Sequence, residues 1–120
     1  VMPVHHGRHP RPVAYVANRA HHADIGGMSP GSMPLATEIF QEGVRIPPVR
    51  IRTARGLADD VLTLLLANVR GATERAGDLR AQIAALQLGA RRLGEMFAAQ
   101  GRGRVHQLMR ALQDYAERLT

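Results

Sequence analysis

The placement of proline constrains this chain more than any other feature. All seven prolines lie between Pro3 and Pro48, and nothing after Pro48 is a proline. Proline fixes φ, removes a backbone donor and breaks helix interiors, so long helices belong to the second half. The first half must be extended and rich in turns. The expected fold class is α+β: a short extended, β-containing N-terminal half over residues 1–56, then a helical segment over 57–120. Three helices are expected there, the last two an antiparallel hairpin, and the two segments together form part of one larger domain.

Periodicity supports the helical half. Asp59 and Asp60 sit where acids favour a helix N-terminus, ahead of Val61-Leu62-Thr63-Leu64-Leu65-Leu66-Ala67, and Gly71 is the expected stop. Leu79, Ile83, Leu86, Ala90, Leu93 and Phe97 then recur at alternating spacings of four and three, one apolar stripe on a long helix. Gly101-Arg102-Gly103 interrupts it, and Val105, Leu108, Leu112, Tyr115 and Leu119 form a second stripe. Two striped helices joined by a short Gly-containing loop fold back on each other. Gly89 and Gly94 inside the first stripe suit a close helix crossing. The Val61–Leu66 run is apolar nearly all round and needs further cover, which points to a missing piece or an oligomer.

In the first half, Pro12-Val13-Ala14-Tyr15-Val16-Ala17 reads as a short, mostly buried strand. Ile25-Gly26-Gly27-Met28-Ser29-Pro30-Gly31 reads as tight turns. Val44-Arg45-Ile46 and Val49-Arg50-Ile51-Arg52 alternate apolar with basic around Pro47-Pro48, the pattern of an extended edge segment.

Apolar residues make up 45% of the chain and charged residues 22%, ordinary for a folded domain. With two Phe, two Tyr and no Trp, the core must be built from Ala, Leu, Val, Ile and Met. No apolar run approaches the roughly 20 residues of a membrane span. The start, Val1-Met2-Pro3-Val4-His5-His6, lacks the apolar segment of a signal peptide, so no membrane association is expected. The absence of cysteine excludes thiolate chemistry and fits a reducing compartment, so a cytoplasmic location is expected. The net charge is +6 and every basic residue is Arg. Seven Arg face three acids before Gly56, and nine face seven from there on. The excess is spread out rather than gathered into a block, so no nucleic-acid partner is expected.

The segment most able to carry chemistry is His21-His22-Ala23-Asp24, followed by Ile25-Gly26-Gly27. Imidazole and carboxylate are ligands for Zn, Mn or Fe. In a helical turn His21 and Asp24 share a face; in an extended segment His22 and Asp24 do. Either supplies two ligands, with Glu38 and Glu42 the nearest further candidates; the plain alternative is a polar strand end bonding a turn. Ser29 and Ser32 lack a base that would activate them. The Gly26–Gly31 run lacks the Lys of a P-loop, so no nucleotide is expected on this chain. His5, His6 and His9 read as a solvated end and His106 as a surface helix residue.

The run Ala17-Asn18-Arg19-Ala20-His21-His22-Ala23-Asp24-Ile25-Gly26-Gly27-Met28-Ser29-Pro30-Gly31-Ser32-Met33-Pro34 closely resembles a signature of the hydantoinase B family. These are the B-type parts of ATP-dependent N-methylhydantoinases and 5-oxoprolinases, related to a large subunit of acetone carboxylases. The resemblance continues through Thr37-Glu38-Ile39-Phe40-Gln41-Glu42-Gly43-Val44-Arg45-Ile46-Pro47-Pro48-Val49, Leu66-Ala67-Asn68-Val69-Arg70 and Glu74-Arg75-Ala76-Gly77-Asp78-Leu79-Arg80-Ala81-Gln82.

The resemblance implies a subunit of an enzyme that couples ATP to the opening of a cyclic amide of hydantoin or 5-oxoproline type. It implies that ATP binds a partner A-type subunit of actin-like fold, where the carbonyl oxygen is activated by phosphorylation, and that the B-type part acts in the following step. In the related carboxylases His and Asp hold a metal, which carries over here to His21 and Asp24 as ligands of Mn, Zn or Fe. Such a metal would polarise the ring carbonyl or activate water. No catalytic residue is assigned. Family members are several times longer, with an Asn-Asp-Pro and Gly-Gly-Thr-His region upstream, so an internal or truncated fragment, inactive alone, is expected. The alternative is a helical interaction module, or an inactive remnant, whose Leu-rich segments dock on a partner or on a second copy.

Overall fold

The computed structural model describes residues 1–8 and 10–120. Two short antiparallel hairpins and three helices make up the α+β fold. Strand β1 (Met2–Val4) pairs with β2 (Ala14–Val16), and β3 (Arg52–Thr53) pairs with β4 (Gly56–Leu57). Helices α1 (Asp59–Ala67), α2 (Ala72–Gln100) and α3 (Arg102–Leu119) follow. Among the described residues no helix is long and apolar enough to cross a membrane.

The chain forms two compact units, residues 1–19 with 83–120, and residues 20–82. The first has an apolar core of Val4, Val13, Phe97 and Val105, flanked by Val16, Leu93 and Met109. Phe97 is fully buried, as the large side chain of an aromatic-poor chain should be. Strand β1 lies outside the sequence expectation, because Pro3 and the histidines after Val4 disguise it. Pro3 sits opposite Tyr15, and a two-stranded ladder tolerates the missing donor. Tyr15 is exposed, so β2 alternates rather than being mostly buried.

The hairpin of α2 and α3 forms at its turn. Gly101 takes φ +78; its N–H donates to the Phe97 carbonyl, and its own carbonyl accepts from the Val105 N–H. Beyond Met109 the second stripe is bare: Leu112, Tyr115 and Leu119 are exposed. A Cβ at Gly94 would meet nothing within 4 Å, and one at Gly89 would make only ordinary contact with Val16. Neither glycine therefore serves a close crossing.

Two histidine readings change. His106 is half-buried rather than on the surface: its Nε2 donates to the Val13 carbonyl at 2.8 Å, and its ring meets Phe97 edge-on at 5.4 Å. His6 is half-buried, its ring centroid 5.9 Å from that of Phe97, whereas His5 is exposed. His9 lies outside the described residues.

The unit of residues 20–82 is built differently. Among its described residues no apolar side chain is buried; the buried side chain is that of Asp24. Helix α1 starts at Asp59 as expected, with Asp59 and Asp60 in its first turn, but ends at Ala67 with Asn68 as C-cap. Gly71, the expected stop, instead stands before α2, its carbonyl accepting from the Arg75 N–H. None of α1 is buried and Leu64 is exposed, so the apolar run does lack cover within this unit. The edge segment at Val44–Arg52 makes no ladder before β3; Val44 gives a single bond, N–H to the Ile25 carbonyl at 2.9 Å. Pro47 and Pro48 remove the donors a ladder would need.

Candidate functional site

The HHAD segment leads into a loop that folds around one carboxylate. Asp24 is 6% exposed, and a buried carboxylate must be well paired to persist. Its Oδ1 accepts the N–H of Gly26 at 2.8 Å and of Arg70 at 3.1 Å. Its Oδ2 accepts the N–H of Gly31 at 3.0 Å and the Arg70 Nη1 at 3.3 Å. The Gly26 N–H, then the Arg70 N–H, hold the carboxyl well below the usual carboxylate range. Burial opposes them, and the Gly31 N–H and the Arg70 guanidinium add to the lowering. Bonds donated to the charged form favour it over the neutral acid.

The glycines let the backbone turn its N–H groups inward. Gly26 and Gly27 take φ +84 and +86, and an added Cβ would fall 2.5 Å from the Asn68 carbonyl oxygen or 2.6 Å from those of Gln41 and Glu42. Side chains are thus excluded twice, by φ and by space. Ser32, at φ +51, closes the loop: its Oγ accepts the Ile25 N–H at 2.7 Å and donates to the Gly26 carbonyl at 2.9 Å. That hydroxyl is a structural clasp. Arg70 completes the assembly, its guanidinium also donating to the carbonyls of Ser29 at 3.1 Å and Gly27 at 3.0 Å. A planar fork with several donors suits such a bridge.

Two cavities flank this segment. One, of about 160 Å³, has apolar walls that include Ile25, Val44, Leu65 and Leu79, with His22, Asp24 and Arg75 also lining it. The other, of about 240 Å³, is polar and is lined by His21, His22, Asp78 and Gln82. His22 is held between them. The Gln82 amide donates to Nε2 at 2.8 Å, which puts the ring proton on Nδ1, 3.8 Å from the Asp78 carboxylate. Asp78 in turn accepts from Arg75 Nε at 2.9 Å.

The residues expected to bind metal stand apart in character. His21 is exposed and lines the polar cavity; Asp24 is buried and lines the apolar one. Both Asp24 oxygens already accept two N–H bonds each, the capacity of their in-plane lone pairs. As folded, the pair does not fit a metal ion, because a ligand position at Asp24 opens only if one of the four N–H donors from Gly26, Gly31 and Arg70 lets go. Glu38 and Glu42 are exposed and line neither cavity. Among the described residues no group of three or more His, Cys, Asp or Glu is placed to hold a metal.

Sequence reasoning missed Arg70 and Ser32 as partners of this loop. Arg70 lies 46 positions from Asp24, beyond any local pattern. The available clue was that a carboxylate beside a Gly-Gly turn needs donors from somewhere.

Comparisons with known proteins agree with this signature. A family profile described as hydantoinase B/oxoprolinase matches residues 1–120. The β subunit of caprolactamase from Pseudomonas jessenii is 39% identical over 107 residues, covering 88% of this chain and 18% of that one. The 5-oxoprolinase of Dictyostelium discoideum is 36% identical over 106 residues, covering 88% and 8%. The crystal structure of the ATP-dependent caprolactamase from Pseudomonas jessenii matches with a TM-score of 0.72 and 40% identity, over 82% of this chain and 17% of that chain. This chain spans about a fifth or less of the length of these relatives. By the full-length profile match and this likeness, the chain belongs to the hydantoinase B/oxoprolinase family.

Proposed function

We propose that this chain is part of a B-type subunit whose complex hydrolyses a cyclic amide at the expense of ATP. The observation that carries this reading is the likeness, in sequence and in fold, to the caprolactamase from Pseudomonas jessenii. In this reading ATP binds an A-type partner subunit. The chain's own loop between Asp24 and Ser32 binds its anion internally, through Asp24, which leaves its N–H groups no phosphate to cradle. Two relatives, the caprolactamase β chain and a D-/L-hydantoinase component from a Pseudomonas species, are each named as one subunit of an enzyme, which supports an assembly of more than one chain.

In this reading the segment presents the ring to the activating partner and keeps its polar edge wet. His21 and His22 line the polar cavity; His22 is oriented by Gln82 and Asp78, while His21 is exposed to solvent and available to handle a proton. His21 and Asp24 do not fit a metal as folded, so the segment's own side chains carry this role.

The test is a chimera in which this segment replaces its counterpart in the caprolactamase β subunit, assembled with that enzyme's own partner. Ring opening of caprolactam with ATP is expected, with loss of rate on His21→Ala. A folded, assembled chimera that opens no ring contradicts the reading, and full activity of the His21→Ala chimera removes His21 from the site.

A docking role is favoured by a separate observation: Leu112, Tyr115 and Leu119 form an exposed stripe on α3, wider than scattered surface residues require. Sedimentation of the free chain as a monomer that binds no apolar dye contradicts it.

A further inference from the structure

The polar cavity of about 240 Å³ has spent its donors and kept acceptors. The Gln82 amide donates to His22 Nε2 at 2.8 Å, and the His22 Nδ1 hydrogen faces Asp78 at 3.8 Å. Asp78 lines the space with a side chain 48% exposed. Its Oδ2 takes the Arg75 Nε at 2.9 Å, whereas its Oδ1 has no partner among the described residues. His21 lines the same space, and neither of its ring nitrogens has a partner among the described residues. An uncharged imidazole keeps one acceptor nitrogen.

Charge points the same way. Two carboxylates share one guanidinium on the first turns of α2: Arg75 Nε lies 2.9 Å from Asp78, and Nη2 lies 4.0 Å from Glu74. That group carries one negative charge in excess. Arg75 lines the apolar cavity instead, and among the described residues that line the polar one none is an arginine. An anion placed there would meet a carboxylate and no guanidinium. A bare metal ion does not fit either, since among the described residues no three ligands converge. A primary ammonium, with three N–H donors and no acceptor, matches what is left open.

We infer that the polar cavity is a binding site for a primary ammonium group, with Asp78 as its counter-ion and His21 as a second acceptor. Which amine it takes rests on the cyclic-amide reading above; the preference for a cation rests on the cavity alone. Opening the ring breaks the C–N bond, the carbonyl carbon gaining the hydroxyl of water and the nitrogen its proton. The new acid passes its own proton to the amine, because alkyl amines titrate near about 10 and carboxylic acids near about 4. The opened chain thus ends in a carboxylate and an ammonium, and the ammonium end is held at Asp78. The site is open to water, so the attraction is modest. A charge pair of this exposure changes affinity by up to about fivefold, and salt weakens it.

The experiment titrates the 120-residue protein with n-butylammonium chloride, sodium butyrate and 1-butanol at one ionic strength, following the Asp78 carboxyl carbon and the His21 ring by NMR. Butylammonium is expected to bind saturably at both resonances, and butyrate and butanol to leave them in place. Read at His21, Asp78→Asn should weaken binding several-fold. Ala81→Phe should do the same: it fills the cavity from an exposed position on α2 and leaves the Arg75–Asp78 pair intact. Absence of saturable butylammonium binding overturns the inference, as does an equal response to butyrate or butanol, or wild-type binding by the folded variants. A lysine of a partner chain offers the same ammonium, and the chimera above separates the two sources. Added 6-aminohexanoate should slow ring opening by the assembled chimera, and much less so in its Asp78→Asn form, each relative to its own rate. Binding by the free chain with an assembled enzyme indifferent to 6-aminohexanoate gives the site to a partner's lysine and overturns the assignment to the released amine. Absent binding with ring opening intact removes the site and leaves the functional reading. Selective binding with no ring opening does the reverse.

Discussion

Asp24 and Arg70, 46 residues apart, meet twice: the Arg70 backbone N–H reaches Oδ1 at 3.1 Å and its guanidinium reaches Oδ2 at 3.3 Å. The backbone contact does not depend on what side chain residue 70 carries; the side-chain contact does. One carboxylate thereby fastens the signature loop to the segment between α1 and α2. In a unit without buried apolar side chains, that polar junction takes the place a core would hold.

Acid should loosen this unit. The folded-state pKa of Asp24 lies below its ordinary 3.8, so its contribution is fully present above the unfolded value and is lost as pH falls toward the folded one. Melting temperature should hold steady from neutrality to about pH 5 and drop below about pH 4. Asp24→Asn should lower it by several degrees at pH 7 and flatten the dependence below pH 4. A variant that melts like wild type at pH 7 counts against the junction.

Arg70→Lys keeps the backbone bond and the charge but not the fork across Asp24, Ser29 and Gly27. A loss of about 1 kcal/mol is expected from denaturant unfolding, the scale of one exchanged hydrogen bond. Full stability in Arg70→Lys would show that a point charge suffices.

Two glycines should respond in opposite senses. Gly27→Ala forces a Cβ at positive φ against the Gln41 and Glu42 carbonyls, costing more than about 2 kcal/mol. Gly94→Ala sits inside α2 with open space around it and should gain about 0.5–1 kcal/mol. Chemical denaturation of both variants decides the pair.

Chelation should leave the fold alone. Asp24 is held by N–H donors rather than by a cation from solution, so EDTA is expected not to shift the melting temperature. A fall of several degrees, reversed by Mn or Zn, would return a metal to His21 and Asp24.

In the other unit, Phe97→Ala opens the core between β1, β2, α2 and α3 and should cost roughly 3–5 kcal/mol. Leu112→Ala, on the bare end of α3, should change stability by less than about 0.5 kcal/mol in the free chain.

Much of this architecture was legible because helices report themselves locally. The Leu79–Phe97 stripe predicted α2, and Ile83, Leu86 and Phe97 are its buried residues. The second stripe predicted α3 but not its bareness: periodicity names an apolar face, and only the presence of a partner decides whether it is covered. Strand β1 escaped because pairing of Met2 with Val16 is a non-local fact, and Pro3 masks the alternation. A glycine after an apolar run signals a helix end, yet α1 stops at Ala67 and Gly71, at φ +64, shapes the approach to α2. Asp24 stood out as chemically loaded, yet its partners did not. A carboxylate reads the same in sequence whether a cation or four N–H groups will satisfy it, and the fourfold capture depends on a residue far along the chain.

The most direct test of this account is the carboxyl carbon-13 shift of Asp24 followed by NMR as pH is lowered from 7. If the loop is folded around an ionised, N–H-bonded carboxylate, the resonance stays at its ionised position through pH 3 for as long as the protein is folded. A titration centred at the ordinary value of 3.8 or above it, in a folded protein, would contradict the account and free Asp24 for another role.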